Sequence, residues 1–308
     1  MNRAAPPSGL QFRLELRGSS ATVTEVGGGL RSYTVDGEEL LDGYGVDEMC
    51  GDARGQTFIP WPNRIADGSY PWRDGEQQLP LNEPTSHNAI HGLSRWAQWR
   101  ASHANPQTVR LQHALHPQPG YPFALRCQLG YRLSSRGLRV ETRVTNTGPS
   151  PCPYATGAHP YLTLGTEFVD DLTVELPARV YYPTDERGLP LYRCPVDGTA
   201  FDLRRPVRLG NQVIDNAFTD LEADADGSTT VTVRSPAGRE VQVWMDGAYR
   251  YVELFTGDTV ADPCRRRRGL GVEPMTAAPN AFRTGDGLLT LEPGETHEAA
   301  WELRPGRQ

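Results

Sequence analysis

Alternation with a period of two recurs along this chain and limits what it can fold into. Phe12-Arg13-Leu14-Glu15-Leu16-Arg17 and Leu138-Arg139-Val140-Glu141-Thr142-Arg143-Val144 each set apolar residues on one face and polar ones on the other. That is the signature of a half-solvated antiparallel strand. Similar runs predict strands over 108–115, 123–133, 172–176, 229–234, 240–245, 249–255, 288–291 and 299–303, divided by Gly, Pro, Asn and Asp clusters. No window of 15 residues keeps a 3.6-residue apolar period, and only 36–44 reads as a helical turn or two. An all-β chain with little helix is expected, its many short strands forming a large antiparallel sandwich.

Its 308 residues suffice for one large β domain or two ordinary ones. Pro- and Gly-rich patches are scattered and mark no linker, so a disordered tail over 1–8 followed by a single domain over 9–308 is expected. Two stacked sandwiches meeting near the middle form the alternative. A net charge of −7 argues against nucleic-acid or anionic-membrane partners. The first residues lack the apolar stretch of a signal peptide, and no segment approaches about 20 apolar residues. The five cysteines are odd in number and without a Cys-x-x-Cys pair, which indicates neither a disulfide framework nor a zinc site. A cytoplasmic protein follows.

Chemistry-bearing residues cluster at the turns. In Gly157-Ala158-His159-Pro160-Tyr161-Leu162, one histidine is fixed between a glycine turn and a proline. A rigid imidazole, with an unperturbed pKa of about 6.5, suits proton transfer near neutrality. Leu270-Gly271-Val272-Glu273-Pro274 presents a carboxylate at an expected strand end, making an acid/base pair if the fold unites the two. In Trp61-Pro62-Asn63-Arg64, prolines stiffen the approach to an Arg fork beside an aromatic ring. This suits a sugar, unless Trp61 belongs to the core.

His87-Asn88-Ala89-Ile90-His91-Gly92 has i, i+4 histidines. It lacks the Glu of a metalloprotease helix, so no metal is expected, and His91 is the better placed to line a pocket. Asp215, inside the apolar frame Val213-Ile214-Asp215-Asn216-Ala217-Phe218, caps a turn or meets a ligand, because an unpaired buried carboxylate is costly. Arg265-Arg266-Arg267-Arg268 reads as a solvated loop. There is no Gly-x-Ser-x-Gly elbow, Gly-x-Gly-x-x-Gly turn or P-loop.

Taken in order, Asn63-Arg64, His91-Gly92, Gly157-Ala158-His159-Pro160-Tyr161, Ile214-Asp215-Asn216-Ala217-Phe218, Val252-Glu253-Leu254-Phe255-Thr256-Gly257 and Val272-Glu273-Pro274-Met275 resemble the aldose 1-epimerase (galactose mutarotase) family, nearly from end to end. The resemblance implies a β-supersandwich with an open cleft for a free aldohexose. It makes Glu273 the general base and His159 the general acid in exchanging α- and β-anomers, with no metal or cofactor. Glu273 would then be ionised and His159 protonated in the free enzyme. It also makes Arg64, His91 and Asp215 sugar-hydroxyl partners. Separately from the resemblance, Asn63 is expected to bind substrate, with Tyr161 and Trp61 as stacking or shaping residues.

Where many members carry Gln, this chain has Glu253, as a hydroxyl ligand or a salt-bridged wall. The Glu-Pro-Met sequence with Asn280-Ala281 downstream resembles a bacterial branch and leaves the sugar open. A monomer or homodimer is expected. Two alternatives are a non-catalytic carbohydrate-binding module and a mutarotase for a phosphorylated or sulfonated sugar.

Overall fold

The computed structural model describes residues 5–306. Its strands lie in two large antiparallel sheets with smaller ones around them. The larger has nine strands, in the order Arg100–Asn105, Thr108–Leu115, Leu125–Ser134, Gly137–Asn146, Thr296–Pro305, Glu240–Met245, Thr229–Arg234, Thr173–Glu175 and Val207–Arg208. Here the alternation works as read. In Leu125–Ser134 the odd-numbered residues Leu125, Cys127, Leu129, Tyr131 and Leu133 are all buried, while Arg126 and Arg132 face water. Leu129, Val140 and Trp301 meet their neighbours on one inner face. A four-stranded meander begun by Gln11–Leu16 adds Leu14, Val23 and Tyr33 to the same core.

The second sheet has eight strands. Those that matter below are β1 (Thr57–Phe58), β3 (Gly157–Ala158), β4 (Asp215–Leu221), β5 (Tyr251–Phe255) and β6 (Leu270–Met275). They neighbour one another in the order β4, β5, β6, β3, β1. A separate pair joins β2 (Arg64–Ala66) to Asn88–Ile90. Val252, Leu254 and Val272 belong to the shared core. Side chains alternate across a strand, so Glu253 and Glu273 point to the opposite face.

Three expectations need correction. Residues 36–44 form no helix. Asp36 and Gly37, at φ 51° and 83°, link Leu30–Val35 to Glu38–Glu39. Asp-Gly is a hairpin turn sequence because both residues tolerate positive φ. The one α-helical turn is Ala281–Thr284 among the described residues. Of the tail expected to be disordered, residues 1–4 lie outside the described residues. Beyond them the Pro6 carbonyl accepts from the Gly9 amide, and buried Ser8 accepts from the Val26 amide. Glu273 sits inside β6 rather than at its end, with Pro274 next in the same strand.

Leu129→Ala, in the packed inter-sheet core, should cost about 2–5 kcal/mol of unfolding free energy. Val213→Ala, 61% exposed, should change it by less than about 0.5 kcal/mol. Urea titration followed by circular dichroism distinguishes the two, and equal losses would contradict the layer assignment.

Candidate active site

Strand register fixes the floor of the site. Glu253 on β5 lies directly opposite Glu273 on β6, and Asp215, the first residue of β4, lies opposite Phe255. Opposed residues share a face at about 4.5–5.5 Å between Cβ atoms, so three carboxylates converge there. His159 follows β3 immediately. Its amide donates to the Gln56 carbonyl at 3.1 Å, and its carbonyl accepts from the Gly55 amide at 2.9 Å. With the backbone held on both sides, the ring stacks on Tyr161 at 4.5 Å and 13°. Phe58 and Phe255 lie edge-on to the same imidazole. His159 Nε2 meets Glu273 Oε1 at 3.1 Å, with both side chains buried.

His159, Glu273 and Phe255 line an open cleft of about 220 Å³, together with Asp52, Asn63, Arg64, Glu83, His91, Arg95, Tyr161 and Asp215. A larger hollow of about 440 Å³ on the nine-stranded sheet contains Arg139, Glu141 and Asp246, but no histidine among its lining residues. His91 stacks face-on against Phe58 at 3.9 Å, and its Nδ1 accepts from the Asn63 amide at 3.2 Å. Neutral His91 therefore carries its proton on Nε2 and can donate from it. Gly92, at φ 70°, seats this turn against Ile59, where a Cβ would lie 2.3 Å from a carbonyl oxygen. Arg64 grips Glu83 through Nε and Nη2 at 3.0 Å each, and Asn63 accepts from the Arg64 amide while donating to Glu253 Oε2 at 3.3 Å.

Burial pushes the His159 pKa well below its ordinary value, helped by the positive field of Arg95 and Arg54. Burial likewise lowers His91. Glu273 moves well above the usual carboxylate range because of burial and the nearby Asp215. Glu253 rises for the same reasons, with Glu273 adding to the effect, and burial also raises Asp215 against the opposing pull of Arg64. His159 and Glu273 do fall within each other's field. Burial opposes the ion pair expected from sequence from both sides, lowering His159 and raising Glu273.

Other sequence assignments change. Trp61 is 2% exposed and packs against Phe282 in the core, outside the cleft, so it is no stacking platform. Tyr161 stays, as a wall: its hydroxyl donates to the Asp52 carbonyl, and Arg54 covers the face away from His159 at 4.4 Å. Glu253 lies beneath the lining, bonded to protein groups. His87 is exposed and pairs with Asp67, well apart in role from His91. The arginine run is no free loop, since Arg265 binds Asp42 and Arg267 binds Asp170 and Asp258. Sequence reading missed Arg95, although Arg95-Trp96 just after His91-Gly92 repeats the cation-beside-aromatic pattern noted at Trp61 to Arg64. It also missed Arg54 and Glu83, which no local pattern distinguishes.

A family model described as aldose 1-epimerase matches residues 11–304. The chain belongs to the aldose 1-epimerase family. As a family member it is an isomerase, and the β-supersandwich implied by the motifs is the fold observed. The uncharacterized Escherichia coli K12 protein YihR is 36% identical over 284 residues, covering 92% of this chain and 89% of its own. Rat galactose mutarotase is 32% identical over 220 residues, 67% of this chain and 63% of its own. In fold, the chain superposes on an aldose epimerase homologue from C. elegans with a TM-score of 0.86 at 19% identity, covering 97% and 99% of the two chains. It superposes on galactose 1-epimerase from Lactobacillus acidophilus with a TM-score of 0.79 at 23% identity, covering 96% and 94%.

Trp61→Phe should lower unfolding stability by about 1–3 kcal/mol while leaving sugar affinity within twofold of the parent, or about 0.4 kcal/mol. Thermal melts and titration calorimetry read the two effects separately. A selective loss of affinity would return Trp61 to the cleft.

Proposed function

We propose that this epimerase interconverts the α- and β-anomers of a free aldohexose, with His159 as acid and Glu273 as base. The 3.1 Å contact between His159 Nε2 and Glu273 Oε1 at the cleft floor carries this reading. The two oxygens that must exchange protons, O1 and the ring oxygen O5, share one carbon. An acid and a base serving both must therefore stand side by side.

Glu273 takes the O1 proton while His159 gives one to O5. The C1–O5 bond breaks with its electron pair passing to oxygen, and an aldehyde forms at C1. Rotation about C1–C2 presents the other carbonyl face, and the reverse transfers reclose the ring. Ring opening leaves Glu273 protonated and His159 neutral, the state that burial favours here. Arg64, His91 and Asp215 reach the cleft as donors and an acceptor for ring hydroxyls, as the family resemblance implies, with Asn63 at its edge. The name of the rat relative, galactose mutarotase, supports a hexose substrate.

An acid touching a base is more than a pure binding module needs, which weighs against that alternative. Arg95 favours a second reading within the same chemistry. It lines the cleft, its Nε donates to Gln56, and no carboxylate lies within ion-pair distance of it among the described residues. Its positive field acts on His159. If His159 serves O5, a phosphate or sulfonate on the carbon attached to C5 would lie toward Arg95.

Polarimetry on fresh α-glucose and α-galactose should show accelerated decay, with His159→Ala and Glu273→Gln each lowering the rate by about 10²-fold or more. Parental rates in both variants would sink the assignment. The pH profile of kcat/KM should be bell-shaped, because the working pair holds one proton. Below the acid limb it takes a second proton and has no base, and above the alkaline limb it loses the last and has no acid. A flat profile would contradict this. Comparing glucose with glucose 6-phosphate tests the second reading: Arg95→Ala should selectively slow the phosphate ester, and equal effects on both would make Arg95 a wall residue.

A further inference from the structure

Below the cleft lining, Glu253 is a third carboxylate that the proton-transfer scheme does not use. It is 3% exposed. Facing it are Asp215 from β4, Glu273 from β6 and Arg64 from β2, the last already engaged by Glu83. Three adjacent anions, two of them buried, with one shared cation are unfavourable, and a proton on one of them relieves the repulsion.

The hydrogen bonds identify which one. Glu253 Oε2 accepts from Asn63 Nδ2, so that oxygen is spoken for as an acceptor. The register partner of Glu253 on β4 is Ala217, two residues from Asp215, so the Asp215 and Glu253 carboxyls are diagonal neighbours on one face. Two ionised carboxylates offer no proton to share, so a hydrogen bond between them needs one donor. Asp215 is only half-buried and is favoured as an anion by Arg64, whereas Glu253 is enclosed.

We infer that Glu253 is a positioning residue, held protonated, whose O–H donates to Asp215 and aims the remaining Asp215 acceptor at a sugar hydroxyl. A glutamine at this position would have the same pattern, with a carbonyl for Asn63 and an N–H for Asp215. This chain thus performs with an ionisable group what an amide performs without titrating. Once Glu253 loses its proton at high pH, its contact with Asp215 turns repulsive and the hydroxyl acceptor is displaced. The consequence for turnover rests on the mutarotase reading above, but the protonation state itself does not.

Two measurements test it. Infrared difference spectra of the parent against Glu253→Gln at neutral pH should show a protonated-carboxyl band that vanishes on alkaline titration. No such band would overturn the inference whether or not the protein turns over sugar. For sugar binding and anomerisation, Glu253→Leu should raise KM about tenfold at neutral pH with kcat less affected, and Glu253→Gln should restore it. Only the parent should show KM rising at alkaline pH in step with loss of the band. An alkaline rise that persists in Glu253→Gln, or Gln and Leu variants equally impaired, would overturn it.

Discussion

The pairing register between Tyr251–Phe255 and Leu270–Met275 is the constraint on which the site depends. Because side chains alternate along a strand, a slip of one residue in either strand would turn its glutamate into the core and bring its apolar residues, Val252 and Leu254 or Val272, out into the cleft. The same apolar residues that stabilise the sandwich therefore specify where the carboxylates point. Core packing and the geometry of the cleft are enforced by one set of contacts. The exchange would be costly in both directions, since it would bury charge and expose hydrocarbon together.

That arrangement explains how a cluster of buried ionisable groups is tolerated. Arg64 is held by Glu83, Glu253 by Asn63, and His159 is packed between rings. Backbone bonds from Gly55 and Gln56 keep His159 in place without occupying its side chain. Every support comes from a strand or a short connection anchored to one. The groups proposed for proton transfer are those whose burial shifts their titration, as perturbed groups do at many functional sites.

The nine-stranded sheet was legible because one of its faces meets water. Runs such as Thr108–Leu115 and Glu240–Met245 alternate openly and lie where the pattern places them. The eight-stranded sheet was harder to read, since every residue of Leu270–Met275 is buried and no polar face marks the period. That is why Glu273 looked like a strand end and Pro274 like a terminator. The site motifs were legible as short fixed strings, but their meeting was not, because His159 and Glu273 approach through non-local pairing of β3 with β6. Trp61 and the arginine run were misread for a related reason: composition cannot show which side of a sheet an aromatic ring takes, or which distant aspartates wait for a cation.

The stack of Arg54 on Tyr161 on His159 has a further consequence. Many working histidines are oriented by a carboxylate on the second ring nitrogen, which fixes the tautomer and raises basicity at once. Here no neighbouring side chain bonds His159 Nδ1 among the described residues. Ring packing supplies the orientation, and nearby cations supply the electrostatics. Mechanical and electronic control of the imidazole are thus separated. A change at Arg95 alters the field on the imidazole without touching the ring stack.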